Sequence, residues 1–173
     1  LLNKENPNLV KILYVAEDSN STYVIEEYIS GITLKEKLQN AYRFTDSEVE
    51  KIALQLCDGL AFLHKLDILH RDITPSNIIL INGTQQVKII DLGAARSIQD
   101  KAMDTRLLGT PGYAPPEQYG FSSTDTRSDI FSLGKTMLEL LENSRNKRLK
   151  VVFQRCTELD PINRYQSIDE LKK

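Results

Sequence analysis

Asp72 and Asn77 lie five residues apart, and Asp91 follows a short apolar run, Val87-Lys88-Ile89-Ile90. A carboxylate and an amide at that spacing fit one short loop. The carboxylate can accept a proton from a hydroxyl, and the amide oxygen can help hold a divalent cation. A second carboxylate, presented from a turn after a strand, can reach the same cation from the other side. Phosphoryl transfer asks for these parts, because it needs an oriented hydroxyl, a neutralised polyphosphate and fixed geometry, with little covalent help from the protein. In full, the runs read His70-Arg71-Asp72-Ile73-Thr74-Pro75-Ser76-Asn77 and Asp91-Leu92-Gly93. One such triplet is weak evidence; the ordered set is specific.

These groups need rigid supports, and the flanking pattern predicts them. Ile78–Ile81 and residues 87–90 read as strands joined by a turn carrying Asn82-Gly83, a strong hairpin signal. Upstream, residues 9–15 and Thr22–Glu26 are β-rich runs split by Glu17-Asp18-Ser19-Asn20-Ser21, which predicts another hairpin. Val10, Ile12, Leu13, Val15, Val24 and Ile25 put apolar groups on both of its faces. A two-stranded ribbon of that kind is not stable alone, and its open edges are expected to pair with another chain. Thr33-Leu34-Lys35-Glu36 and Thr45-Asp46-Ser47-Glu48 are capping boxes. The second opens a long helix with a core stripe of Val49, Ile52, Ala53, Leu56, Leu60 and Leu63. His64, near its end, reads as structural or solvated rather than as a ligand. Residues 94–121 form a long polar stretch with no periodicity, which in a compact domain points to a functional loop. Residues 130–141 are apolar almost all round, as in a buried helix. Residues 149–159 are amphipathic and stop at Asp160-Pro161, and Ser167 caps a last short helix.

Composition narrows the class. The chain has 173 residues, 40% hydrophobic and 27% charged, with a net charge of −2. That length supports one good core, and the charge balance gives no pull toward nucleic acid or anionic membranes. No apolar run approaches the roughly 20 residues that span a bilayer. Cys57 and Cys156 each fall in apolar helical patterns, which predicts two buried, reduced thiols and a cytoplasmic setting.

On these motifs the chain resembles the C-terminal lobe of a protein kinase of the serine/threonine type. Thr74-Pro75-Ser76-Asn77 and Gly109-Thr110-Pro111-Gly112-Tyr113-Ala114-Pro115-Pro116-Glu117-Gln118 have the flavour of bacterial members. The implied fold is α+β and mainly helical. Residues 1–26 would be a remnant of the N-terminal lobe (the end of its helix and two strands), 27–31 the hinge, and 32–173 the C-terminal lobe, with an activation segment at about 91–117. The resemblance makes Asp72 the catalytic base, Asn77 and Asp91 the ligands of Mg2+ (or Mn2+), and Thr110 a partner of the base. It places Glu26, Glu27, Tyr28, Ile29, Ser76, Asn77, Ile79 and Asp91 around ATP, with Glu26 at the back of the adenine pocket. Glu117 would pair with Arg164, and Asp129 would accept backbone N–H groups from the catalytic loop beside His70. Arg71 would receive a phosphate placed on the activation segment, with Thr105 as the candidate site.

The chain also departs from the family pattern. It contains no glycine-rich loop, no phosphate-holding strand Lys and no helix Glu to pair with it, which reads as truncation. Thr74 stands where many members carry a phosphate-contacting Lys, and Leu92 replaces the Phe of D-F-G. Residues 141–146 lead almost directly into the next helix, where the family has a further loop and helix. The expected function is transfer of the ATP γ-phosphate to Ser or Thr of a protein substrate by the parent protein, with this chain inactive by itself. The alternatives are a non-catalytic kinase-like binding module and a small-molecule phosphotransferase.

Overall fold

The computed structural model describes residues 1–2, 4–19, 22–98, 109–119 and 124–173. The described residues form five α-helices and seven short strands. Strands β1 (Ile12–Glu17) and β2 (Thr22–Glu26) make the expected antiparallel hairpin. On its two faces Leu13, Tyr14, Tyr23, Val24 and Ile25 are each about half open to solvent.

Helix α1 (Leu34–Gln39) and the long α2 (Asp46–Lys65) both begin with complete capping boxes, from Thr33–Glu36 and Thr45–Glu48. The α2 stripe named above is buried throughout and forms the centre of the core. Beside it lies a three-stranded sheet, β3 (Gly31–Thr33), β5 (Ile78–Ile81) and β6 (Val87–Ile89), in the order β3-β5-β6. Of the residues expected as a hinge, 27–31, Gly31 lies in β3 and pairs with Ile81. Strands β4 (Ile68–Leu69) and β7 (Arg96–Ser97) form a second small antiparallel pair. Elements of two or three residues carry no usable periodicity, so neither β3 nor this pair shows in the sequence.

Helix α3 (Thr126–Leu140) starts one turn earlier than its apolar run. Asp125 caps it by accepting the Arg127 N–H at 2.9 Å, and the polar first turn is buried at Ser128 and Asp129. Helix α4 (Lys147–Cys156) stops before residue 159 because the carbonyls of Glu158 and Leu159 turn inward to the Arg164 guanidinium. Gly134 lets α3 and α4 approach closely: a Cβ there would lie 2.5 Å from Cys156 Cβ and 3.0 Å from the Phe153 carbonyl. The short connection 141–146 is closed by its own bonds: Ser144 Oγ reaches Asp46 at 2.5 Å, and Asn146 caps α4 through the Leu149 N–H. Helix α5 (Ile168–Leu171) is capped by Ser167.

The N-terminal stretch corrects one expectation. No helix forms among the described residues before Leu34. Residues 6–8 make an Asx turn instead, with the Asn8 N–H on Asn6 Oδ1 at 2.8 Å, and Pro7 disfavours helix in the residue before it. Leu9 then bridges Ile89, and Val10 donates to the Ile89 carbonyl at 2.8 Å. Both cysteines are free and buried, and burial pushes each thiol up to about 12. Among the described residues no helix is long and apolar enough to cross a membrane.

Candidate active site

The loop between β4 and β5 turns on Arg71, a non-glycine residue at φ +70°. Asp129, fully buried at the start of α3, holds it there. Its carboxylate accepts the Arg71 N–H at 2.7 Å and the His70 N–H at 3.0 Å, and lies 2.8 Å from His64 Nε2. Burial pushes the Asp129 carboxyl upward, but the His64 bond and charge and the Arg71 N–H hold it below the usual range. His64 is thus a structural neighbour of the loop.

Asp72 comes next, half-buried. Its Oδ2 accepts from Asn77 Nδ2 at 2.8 Å, and its Oδ1 accepts both the Thr110 hydroxyl at 2.8 Å and the Thr110 N–H at 3.0 Å. Asn77 Nδ2 also donates to the Asp72 carbonyl at 2.9 Å, which closes the loop on itself and leaves Asn77 Oδ1 outside these bonds. Asp91 lies just past β6 at φ +64°, exposed, with Oδ1 accepting the Gly93 N–H at 2.9 Å. An amide oxygen and a carboxylate are hard donors that suit Mg2+, which takes one or two carboxylates and completes its shell with phosphates and water. Asn77 Oδ1 and the Asp91 carboxylate are donors of that kind; among the described residues no group of three or more His, Cys, Asp or Glu could hold a metal ion.

On the expected nucleotide side, Ile79 sits in β5 between Thr33 and Lys88, and Ser76 is half-buried just before it. Tyr28 is 92% exposed. Among the described residues no hydrogen bond engages the backbone of Tyr28 or Ile29. The Glu27 side chain is directed elsewhere: it accepts the Lys11 N–H at 2.9 Å and pairs with the Lys88 ammonium. Despite burial, those partners hold its carboxyl below the usual range. The Glu27 N–H also donates to the Lys11 carbonyl at 2.9 Å, so only the Glu27 carbonyl lies outside these bonds.

Glu117 and Arg164 form a buried two-pronged ion pair at 2.6 and 3.0 Å, and Ser128 Oγ donates to the same carboxylate at 2.9 Å. Gln118 was missed from the sequence. Its Nε2 donates to the Arg71 carbonyl at 2.7 Å, against Gly109 at φ +110°, where a Cβ would meet that nitrogen at 2.3 Å. An isolated polar residue after Pro-Pro-Glu carries no pattern that would flag it. The Arg71 side chain is buried, and Thr105 lies outside the described residues.

His70 gives the site a pH signature. The Asp72 N–H donates to its Nδ1 and its Nε2 faces the Ile90 carbonyl, both at 3.3 Å, which assigns the neutral tautomer with the proton on Nε2. Burial lowers its pKa against the opposing charges of Asp129, Asp72 and Asp91 and the Ile90 carbonyl. A depressed folded value means that the unfolded chain binds the extra proton first. Stability is therefore full above the unfolded value of about 6.5 and falls as pH drops toward the folded one, at up to about 1.4 kcal/mol per pH unit. Urea unfolding at a series of pH values should show this slope below about 6.5, flattened in His70→Asn. An identical slope in the variant would refute the assignment.

A family profile described as protein kinase domain matches residues 1–168. The chain belongs to the protein kinase family. Among its relatives, serine/threonine-protein kinase PknB of Mycobacterium leprae is 33% identical over 168 residues, covering 91% of this chain and 27% of the relative. PknB of Mycobacterium tuberculosis is 34% identical over 148 residues, covering 81% and 23%. The probable serine/threonine-protein kinase CA_C1728 of Clostridium acetobutylicum is 29% identical over 197 residues, covering 96% and 30%. That last alignment is longer than the kinase chain itself, so this relative carries residues that the chain lacks. The chain spans about a quarter to a third of the length of these kinases.

Proposed function

We propose that the chain is the C-terminal lobe of a serine/threonine protein kinase joined to two strands of the N-terminal lobe, and that the whole protein moves the ATP γ-phosphate to Ser or Thr of a protein substrate. One observation carries this reading: the Asp72 carboxylate is held from both sides by Asn77 and Thr110, at hydrogen-bond distances of 2.8–3.0 Å. So held, Asp72 can accept the proton of an incoming hydroxyl, and the Thr110 hydroxyl fixes its direction. Asn77 Oδ1 and the Asp91 carboxylate would hold Mg2+, or Mn2+ in its place. Bound there, the ion supplies charge neutralisation on the polyphosphate. Ile79 would lie under the adenine, and the unbonded backbone of Tyr28 and Ile29 would meet its edge. The two free, buried thiols support a cytoplasmic setting.

Calorimetric titration of the chain with Mg·ATP tests this site, with Asp91→Asn as control. Binding should disappear in the variant, and binding that survives the substitution refutes the site. The chain by itself should transfer no phosphate, because positioning and electrostatics act from both sides of a nucleotide and its sequence holds the residues of one side. Phosphorylation by the chain that is lost in Asp72→Asn would overturn that expectation. A second reading, as a non-catalytic binding module, draws on Thr74, which is 1% exposed and brings no charge where many kinases have a lysine. Calorimetry separates the two, since that module needs no magnesium nucleotide.

The exposed faces of the hairpin support an association as well. β1 and β2 pair only with each other among the described residues, and Leu13, Tyr14, Tyr23, Val24 and Ile25 are 49–58% exposed. Open edges beside exposed apolar groups favour association. Sedimentation should show concentration-dependent self-association that Val24→Lys weakens, whereas a strictly monomeric chain would count against it.

A further inference from the structure

The peptide groups around Asp72 are held by side chains from distant parts of the chain. The Arg71 N–H is taken by Asp129 at 2.7 Å, and the Asp72 carbonyl by Asn77 Nδ2 at 2.9 Å. Between them, the Arg71 carbonyl accepts from Gln118 Nε2 at 2.7 Å. Asp129 restrains the peptide unit before Arg71, and with it the left-handed φ of +70°. The next unit, which carries the Arg71 carbonyl and the Asp72 N–H, turns separately about the ψ of Arg71 and the φ of Asp72. Its N–H makes a long bond, 3.3 Å to His70 Nδ1, so the Gln118 amide is the shorter restraint. Rotation of this unit would swing the Asp72 carboxylate off Asn77 and Thr110.

Gln118 suits that task. It has no solvent exposure, where a neutral donor avoids the cost of burying an ammonium and a carboxylate would set acceptor against acceptor. Its neighbour Glu117 is pinned to Arg164, so the donor hangs from a fixed point. Gly109, at φ +110°, leaves the room: a Cβ there would lie 2.3 Å from Gln118 Nε2 and 3.4 Å from the Arg71 carbonyl oxygen. The following residue, Thr110, places its N–H and hydroxyl on the Asp72 carboxylate. Residues 109–118 thus grip Asp72 twice, at the carboxylate and at the peptide behind it.

We propose that Gln118 is a positioning residue for Asp72: its side-chain amide fixes the plane of the Arg71–Asp72 peptide, so the aim of the Asp72 carboxylate depends on residues 109–118 being folded against the loop. The inference rests on the reading of Asp72 as the group that accepts the hydroxyl proton.

Residue-resolved hydrogen exchange tests this in the wild-type chain and in Gln118→Met, which keeps the length of the side chain and removes the donor. In the wild type the Gln118 side-chain amide should be protected from exchange. In Gln118→Met the Thr110 N–H, which reports whether the Asp72 carboxylate stays in place, should exchange about fivefold faster or more, the scale of one lost hydrogen bond. That change should exceed any change along α2, which reports on the fold as a whole. A side chain with a purely structural role would move Thr110 and α2 together, and that result overturns the proposal. So does an unprotected Gln118 amide in the wild type, a measurement that holds even where Gln118→Met does not fold. Calorimetry with Mg·ATP and the Asp91→Asn control reads the nucleotide site whichever way the exchange falls, so the two readings fail separately.

Discussion

Replacing Glu117 by alanine is expected to destabilise the chain by about 3–5 kcal/mol, a large part of a typical domain's stability. The carboxylate is the partner of a guanidinium with no solvent exposure, at 2.6 and 3.0 Å. Without it, Arg164 keeps its bonds to the carbonyls of Arg127, Glu158 and Leu159, but its charge is left uncompensated in the core. Ser128 Oγ loses its acceptor as well. Removing both charges in Glu117→Leu with Arg164→Met should cost less than Glu117→Ala, because most of the penalty is the stranded charge rather than the lost attraction. Urea denaturation of both variants decides the point. A single variant within about 1 kcal/mol of wild type would mean that the guanidinium finds water or another partner.

Asp129→Ala should have a comparable effect and should also reach the loop that carries Asp72. Two buried N–H groups, of His70 and Arg71, lose their acceptor, and each such orphan costs about 1–3 kcal/mol. Arg71 is in the left-handed region and stays there only while its surroundings hold it. Once released, it carries the adjoining Asp72 away from Asn77 and Thr110, so Mg·ATP binding should fall together with stability. Asp129→Asn keeps one acceptor oxygen and should lie between alanine and wild type. Unchanged loop amide exchange in Asp129→Ala would show that the loop does not depend on this carboxylate.

Much of this was legible from local pattern. The 3-4 spacing of the α2 stripe and the two Thr-x-x-Glu boxes depend on neighbours in sequence, and each appears where expected. The same holds for strands Ile78–Ile81 and Val87–Ile89 on either side of the Asn82-Gly83 signal. The ordered motif around Asp72, Asn77 and Asp91 pointed to the family that the profile matches. Less was legible where the stabilising partner is far along the chain. A helix expected near the N-terminus is a turn-rich strand bridge, because Pro7 and Asn6 favour a turn and Ile89, about eighty residues away, supplies the pairing. Helix α3 begins a turn early because its polar first turn is buried against the His70–Asp72 loop, so polarity there marks a contact rather than an end.

The sequence by itself determined the family, the helices with strong periodicity, and the residue types able to do the chemistry, since these depend on composition and spacing over a few turns. Only the tertiary structure decided what each side chain serves. It turned Glu27 away to Lys11 and Lys88, set Gln118 against the Arg71 carbonyl, and joined His64 to Asp129. Those outcomes depend on the directions and burial of groups tens of residues apart, quantities that no local spacing encodes.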